Sequence, residues 1–130
     1  MHEQLTVYEM VGGAPTFKKL VNVFYSKVEN DELLRSIFPN DLEAGKQWQC
    51  LFLIQLFGGP PDYSQQRGHP RLRMRHAAFR IDERAAQLWL SYMVEAIDEI
   101  NIDEPARSMM QDYFERTAAH MINAYLPKDS

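Results

Sequence analysis

The chain has 130 residues, a formal net charge of −4, 45% hydrophobic and 25% charged residues, and one cysteine, Cys50. Those values fit one globular domain with a single core, and they exclude a disordered chain, an internal disulfide and a cysteine-based zinc or iron–sulfur cage. The mildly acidic balance gives no general pull towards nucleic acid or an anionic membrane, and the longest apolar run, Cys50 to Phe57, is far short of the roughly 20 residues that span a bilayer. Met1-His2-Glu3-Gln4 lacks the pattern of a secretion signal. A lone thiol suits a reducing compartment, so a soluble, cytoplasmic protein is expected.

Apolar residues recur at helical spacing almost throughout. A short turn over Thr6 to Met10 is predicted to end at Gly12-Gly13. A helix then starts at Pro15 or Thr16 and runs to about Asn30, with Phe17, Leu20, Val21, Phe24 and Val28 inward. Asp31 can cap a brief helical turn holding Leu33 and Leu34, which ends at Phe38-Pro39. Asp41 opens a longer helix whose inward stripe reads Leu42, Gly45, Gln49, Phe52, Leu53 and Leu56, until Gly58-Gly59-Pro60-Pro61 stops it. A loop follows through Tyr63 to Gly68-His69-Pro70, then a short helix with Leu72, Arg75, His76 and Phe79. Asp82 caps the next helix, which has Ala85, Trp89, Tyr92, Met93, Ala96 and Ile100 on one face. The last helix begins near Asp103 to Pro105 and carries Ala106, Met109, Met110, Tyr113, Phe114, Thr117, Met121 and Ile122 to about Tyr125. Nothing alternates with period two for long enough to form a strand. The class is all-α.

Four features sit awkwardly in a plain packing account. Gly45 and Gln49 interrupt an inward stripe, where glycine costs about 1 kcal/mol relative to alanine and a buried amide needs partners. A close helix crossing at Gly45 and a backbone partner for Gln49 would explain them without a ligand. Tyr25 and Trp89 put polar tips on or beside buried faces, as ordinary core residues also do. His76 follows Arg71, Arg73 and Arg75: a neutral imidazole is a common iron ligand and guanidiniums pair with carboxylates, but a solvated basic face reads the same way. Phe38 precedes Pro39 at a sharp corner, which can press a ring against a flat ligand or simply turn the chain. The other histidines are weaker candidates: His2 is terminal, His69 precedes Pro70, and His120 lies one residue off an apolar stripe.

Together these residues resemble the group II truncated haemoglobins over almost the whole chain. The resemblance is carried by Val11-Gly12-Gly13, Phe24-Tyr25, Ile37-Phe38-Pro39, Phe57-Gly58-Gly59-Pro60, Tyr63, the stretch from Arg67-Gly68-His69-Pro70 to Arg75-His76, Phe79, and Ala86-Gln87-Leu88-Trp89-Leu90. It implies a globin-like two-over-two helical sandwich, one domain over 1–130 with 1–5 and 126–130 frayed, around haem b (iron protoporphyrin IX). It implies that His76 is the proximal iron ligand, that Tyr25, Gln49 and Trp89 are the distal polar groups, that Phe38 packs on the porphyrin and that Gly45 is the distal gate position. Trp48 stands where many relatives carry a basic partner for a propionate, so Arg75 and Tyr63 must do more of the holding.

The function so implied is high-affinity, reversible binding of O2 and other diatomic ligands (NO, CO), with peroxide or sulfide as further candidates. Nitric oxide dioxygenase or peroxidase-type activity, served by a separate reductase, is the associated redox chemistry, and a homodimer is common in the family. Two rival classes remain at this point: a haem-based gas or redox sensor acting through a separate partner, and a haem-free module binding nucleic acid through Arg71, Arg73 and Arg75. The last predicts a colourless protein whose binding is strongly salt-dependent.

Overall fold

The computed structural model describes residues 5–71, 76 and 80–123. Within them lie seven helices and no strand: α1 (Val7–Met10), α2 (Ala14–Glu29), α3 (Glu32–Ile37), α4 (Leu42–Leu56), α5 (Asp62–Arg67), α6 (Glu83–Glu99) and α7 (Ala106–Met121). None of the described helices is long and apolar enough to cross a membrane.

Capping explains most of the starts. Asp31, Asp41 and Asp82 each hold an extended conformation and accept a backbone N–H two or three residues on, at Leu34, at Glu43 and Ala44, and at Ala85, satisfying donors that an uncapped helix leaves orphaned. Thr6 and Glu9 form a reciprocal capping box on α1. That short helix is docked on the end of α4, where the Tyr8 N–H donates to the Phe57 carbonyl at 2.8 Å. Gly58, at φ 102° and with room for no more than a hydrogen beside Thr6, lets the two segments approach so closely.

α2 is the central element. Phe17, Leu20, Val21, Phe24, Tyr25 and Val28 are all buried, at threes and fours, and pack against α4 on one side and α6 on the other. α6 in turn packs on α7 through Met93, Ala96 and Ile97 against a face that includes Met110 and Phe114. The result is two helix pairs, α2 with α4 and α6 with α7, joined through α2 and α6. α3 bridges α2 and α6. The Tyr92 hydroxyl of α6 donates to Asp31 at 2.5 Å while the other Asp31 oxygen caps α3. These two bonds hold the Asp31 carboxyl below the usual carboxylate range and brace the helix that ends at Phe38.

Three expectations are corrected. Residues 62–67 form a helix, not loop. Its sequence is polar apart from Tyr63, so it shows no apolar period; Asp62 favours its N-terminal dipole, and Gln55 of α4 ties it down by accepting from Ser64 N at 2.8 Å and donating to Ser64 Oγ at 2.7 Å. Leu56 is 40% exposed and Met109 48% exposed. The inward face of α4 towards α2 is Cys50, Leu53 and Ile54 instead, because α4 presents two faces: one to the core, the other, through Gly45, Gln49 and Phe52, to a cavity. Met109 starts a turn of α7 whose neighbour Met110 takes the buried position.

Candidate functional site

A cavity of about 710 Å³ opens between the helix pairs, within the range of roughly 300–1,000 Å³ that binds organic cofactors and ligands. Eight side chains or positions singled out from the sequence border it. Tyr25 comes from α2, Phe38 from the end of α3, Gly45, Trp48 and Gln49 from α4, Tyr63 from α5, Trp89 from α6, and His76 from between α5 and α6. Arg75, expected beside them, lies outside the described residues, as does the remainder of the segment 72–75. His69 and His120 are exposed and do not border the cavity. The His69 Nδ1 accepts from the Arg71 N–H.

One buried ring organises the wall that carries the polar tips. Phe24 meets Tyr25 edge-on at 5.5 Å and Trp89 edge-on at 5.9 Å between ring centres, and Tyr25 meets Phe38 at 5.8 Å and 90°. Such contacts fix ring planes as well as positions. A Cβ added to Gly45 would stand 3.0 Å from the Tyr25 hydroxyl, so the glycine that interrupts the α4 stripe makes room for that hydroxyl. Burial pushes the Tyr25 phenol up to about 12. An acid whose pKa is raised keeps its proton at every pH below that value, so Tyr25 remains a donor across neutral and mildly alkaline solution.

Gln49 Oε1 is buried without a hydrogen-bond partner among the described residues. An orphaned amide costs free energy and calls for a partner that enters the cavity; turning the amide over presents its donor instead. On the other side of the opening, Trp48 meets Tyr63 edge-on at 6.0 Å, and Tyr63 meets Phe52 at 5.5 Å. The guanidinium of Arg67, at the end of α5, lies over the Trp48 ring at 4.5 Å and also borders the cavity. Arg67, which the sequence counted towards the family resemblance, was given no place in the site because it ends a helix that showed no period. Its signal was its place four residues after Tyr63 in a polar run.

The donor set tests what could fill this space. Among the described residues no three His, Cys, Asp or Glu side chains converge to hold a bare metal ion. A single imidazole at the wall, an apolar and aromatic lining, polar tips at Tyr25, Gln49 and Trp89, and a cation at the rim fit an iron porphyrin, which brings four of the metal's ligands with it.

Comparison with known proteins agrees. A family model described as bacterial-like globin matches residues 6–123. The chain is 40% identical over 116 residues to the group 2 truncated haemoglobin YjbI of Bacillus subtilis, covering 89% of this chain and 87% of that protein. The crystal structure of a haemoglobin from the thermophilic phototrophic bacterium Chloroflexus aurantiacus superposes with a TM-score of 0.91 at 52% identity, covering 93% of this chain and 100% of the other. A Bacillus subtilis structure described as a truncated oxygen-avid haemoglobin superposes with a TM-score of 0.87 at 39% identity, covering 92% and 100%.

Proposed function

We propose, from the premise that this chain belongs to the bacterial-like globin family as a group II truncated haemoglobin, that it retains O2 tightly and uses the retained gas in redox chemistry. As a member of that family it is a two-over-two globin that binds haem b and, through it, O2 and similar diatomic gases. Haem would supply an iron able to take a protein imidazole and to bind a gas. His76 is the imidazole. Tyr25, Gln49 and Trp89 present an O–H, an N–H and an N–H to the gas from α2, α4 and α6, fixed donors in an apolar cavity that meet negative charge as it develops.

The observation that carries this reading is that Tyr25, Gln49 and Trp89, from three different helices, all border one cavity, with a common brace at Phe24 behind two of them. A hydrogen bond to a charged acceptor contributes roughly 1.5–3 kcal/mol, so each aimed donor slows gas escape by about ten- to a hundredfold. Slow release argues against bulk delivery and for turnover of the held ligand. Oxidation of nitric oxide to nitrate, with a reductase returning the electron, is the reaction to assay. Stopped-flow mixing of the oxygenated protein with nitric oxide should give nitrate in stoichiometric yield; O2 release without nitrate counts against the redox role. A reducing, cytoplasmic setting suits both the reductase and the buried thiol of Cys50.

Arg67 and Tyr63 hold the porphyrin's carboxylates in this reading, with Arg67 carried over the opening by the Trp48 ring that stands where a basic residue was expected. Arg67→Ala should speed transfer of haem to a scavenger protein severalfold, since a charge-assisted pair is lost. With the haem dimethyl ester, whose carboxylates are blocked, the same substitution should have little effect. An equal effect on both would show that Arg67 acts by packing on Trp48 alone.

A further inference from the structure

We infer that Asn123 is a positioning residue for His76, clasping the segment that presents the imidazole to the cavity; the inference rests on His76 being the iron ligand. α7 ends at Met121, and Ile122 then takes an extended conformation, φ −62° and ψ 124°. That turn lays Asn123 beside the start of α6. Its backbone N–H donates to the Ile81 carbonyl at 2.8 Å, and its side-chain Oδ1 accepts from the Ile81 N–H at 2.8 Å. Its Nδ2 donates to the His76 carbonyl at 3.3 Å.

One amide group thus reaches both ends of the stretch from 76 to 81, using its acceptor on one and its donor on the other. Both ends border the cavity, and Ile81 is buried. A plain helix stop needs none of this: a residue that only ended α7 would bond back to α7. The amide instead spans 47 positions of sequence to a backbone carbonyl of the candidate ligand. Holding that carbonyl restrains the backbone from which the imidazole projects, and with it how the ring would meet a bound iron. Partners outside the ligand set commonly change metal affinity by about 10–100-fold.

Asparagine suits the position on chemical grounds. Aspartate has the same shape and keeps the acceptor for Ile81, but it replaces the donor to His76 with an oxygen that repels the carbonyl. Asn123→Asp therefore isolates the contact to His76 while Asn123→Ala removes both.

The test is resonance Raman spectroscopy of the ferrous, gas-free holoprotein, read at the iron–imidazole stretching band, together with haem transfer to a scavenger protein. Asn123→Asp should shift the band and speed haem loss about tenfold. Val28→Ala, a core truncation on α2 away from the cavity, should lower thermal stability and leave the band in place. If both Asn123 variants keep the wild-type band, Asn123 merely anchors the end of α7 and the inference is overturned. Asn123→Asp decides the matter should Asn123→Ala fail to fold. A wild-type band that survives His76→Ala would instead remove His76 as the ligand, and the inference with it.

Discussion

His76→Ala is expected to leave the purified chain largely without haem, whereas His120→Ala should retain it fully. Loss of a residue one step removed from a metal already costs about 10–100-fold in affinity, and in the proposed reading the His76 imidazole is the bond the chain itself would supply to the iron. His120 is exposed on α7 and does not border the cavity, so its truncation removes nothing the cofactor touches. The measurement is the ratio of porphyrin to protein absorbance after purification from cells supplied with excess haem precursor. The substitution His76→Gly adds a further arm, because free imidazole should restore the porphyrin band by occupying the space the side chain leaves. Full retention of haem in His76→Ala, with an unaltered visible spectrum, would falsify the assignment.

The next largest effect should fall on O2 release. Tyr25→Phe keeps the ring against Phe24 and deletes only the O–H, whereas Trp89→Phe deletes the N–H together with part of the indole while keeping an aromatic ring at the Phe24 contact. Each should raise the O2 dissociation rate at least severalfold, and about tenfold or more where the donor is well aimed. The Tyr25 effect has a predictable pH profile. With its phenol pushed up to about 12, the hydroxyl is protonated from neutral to mildly alkaline pH, and the difference between wild type and Tyr25→Phe stays level there. It shrinks only as pH approaches 12, where ionisation removes the donor. A rate unchanged by both substitutions would take these two groups out of ligand retention.

The long helices were legible because their apolar residues recur every three or four positions and their first turns are announced by aspartate or proline. α2 is the clearest case: each of its buried residues, Tyr25 included, keeps that spacing. α4 was harder, since a helix with one face on a core and another on a cavity shows a smeared stripe, and Leu56 was assigned inward on that account. α5 was invisible for the opposite reason. A six-residue helix with one buried side chain, Tyr63 at 3% exposure, is held by the Gln55 amide of another helix, and no local pattern encodes a tertiary hydrogen bond. The same holds for Arg67 and Asn123. Each acts through a partner far away in sequence, and short-range periodicity carries no trace of such pairs. Gly45 and Gln49 were readable as interruptions of a pattern. The structure gives the physical reason for one of them, since the glycine yields its space to the Tyr25 oxygen.

Both tryptophans of the chain, Trp48 and Trp89, stand in the cavity wall, and there are no others. Indole emission overlaps porphyrin absorption, so excitation passes efficiently to a chromophore a few ångströms away. All of the protein's tryptophan fluorescence is therefore subject to quenching by one molecule at one address. The chain carries its own occupancy gauge: titrating the empty protein with haem should extinguish its emission almost completely at one equivalent, without the residual glow that a distant indole would leave.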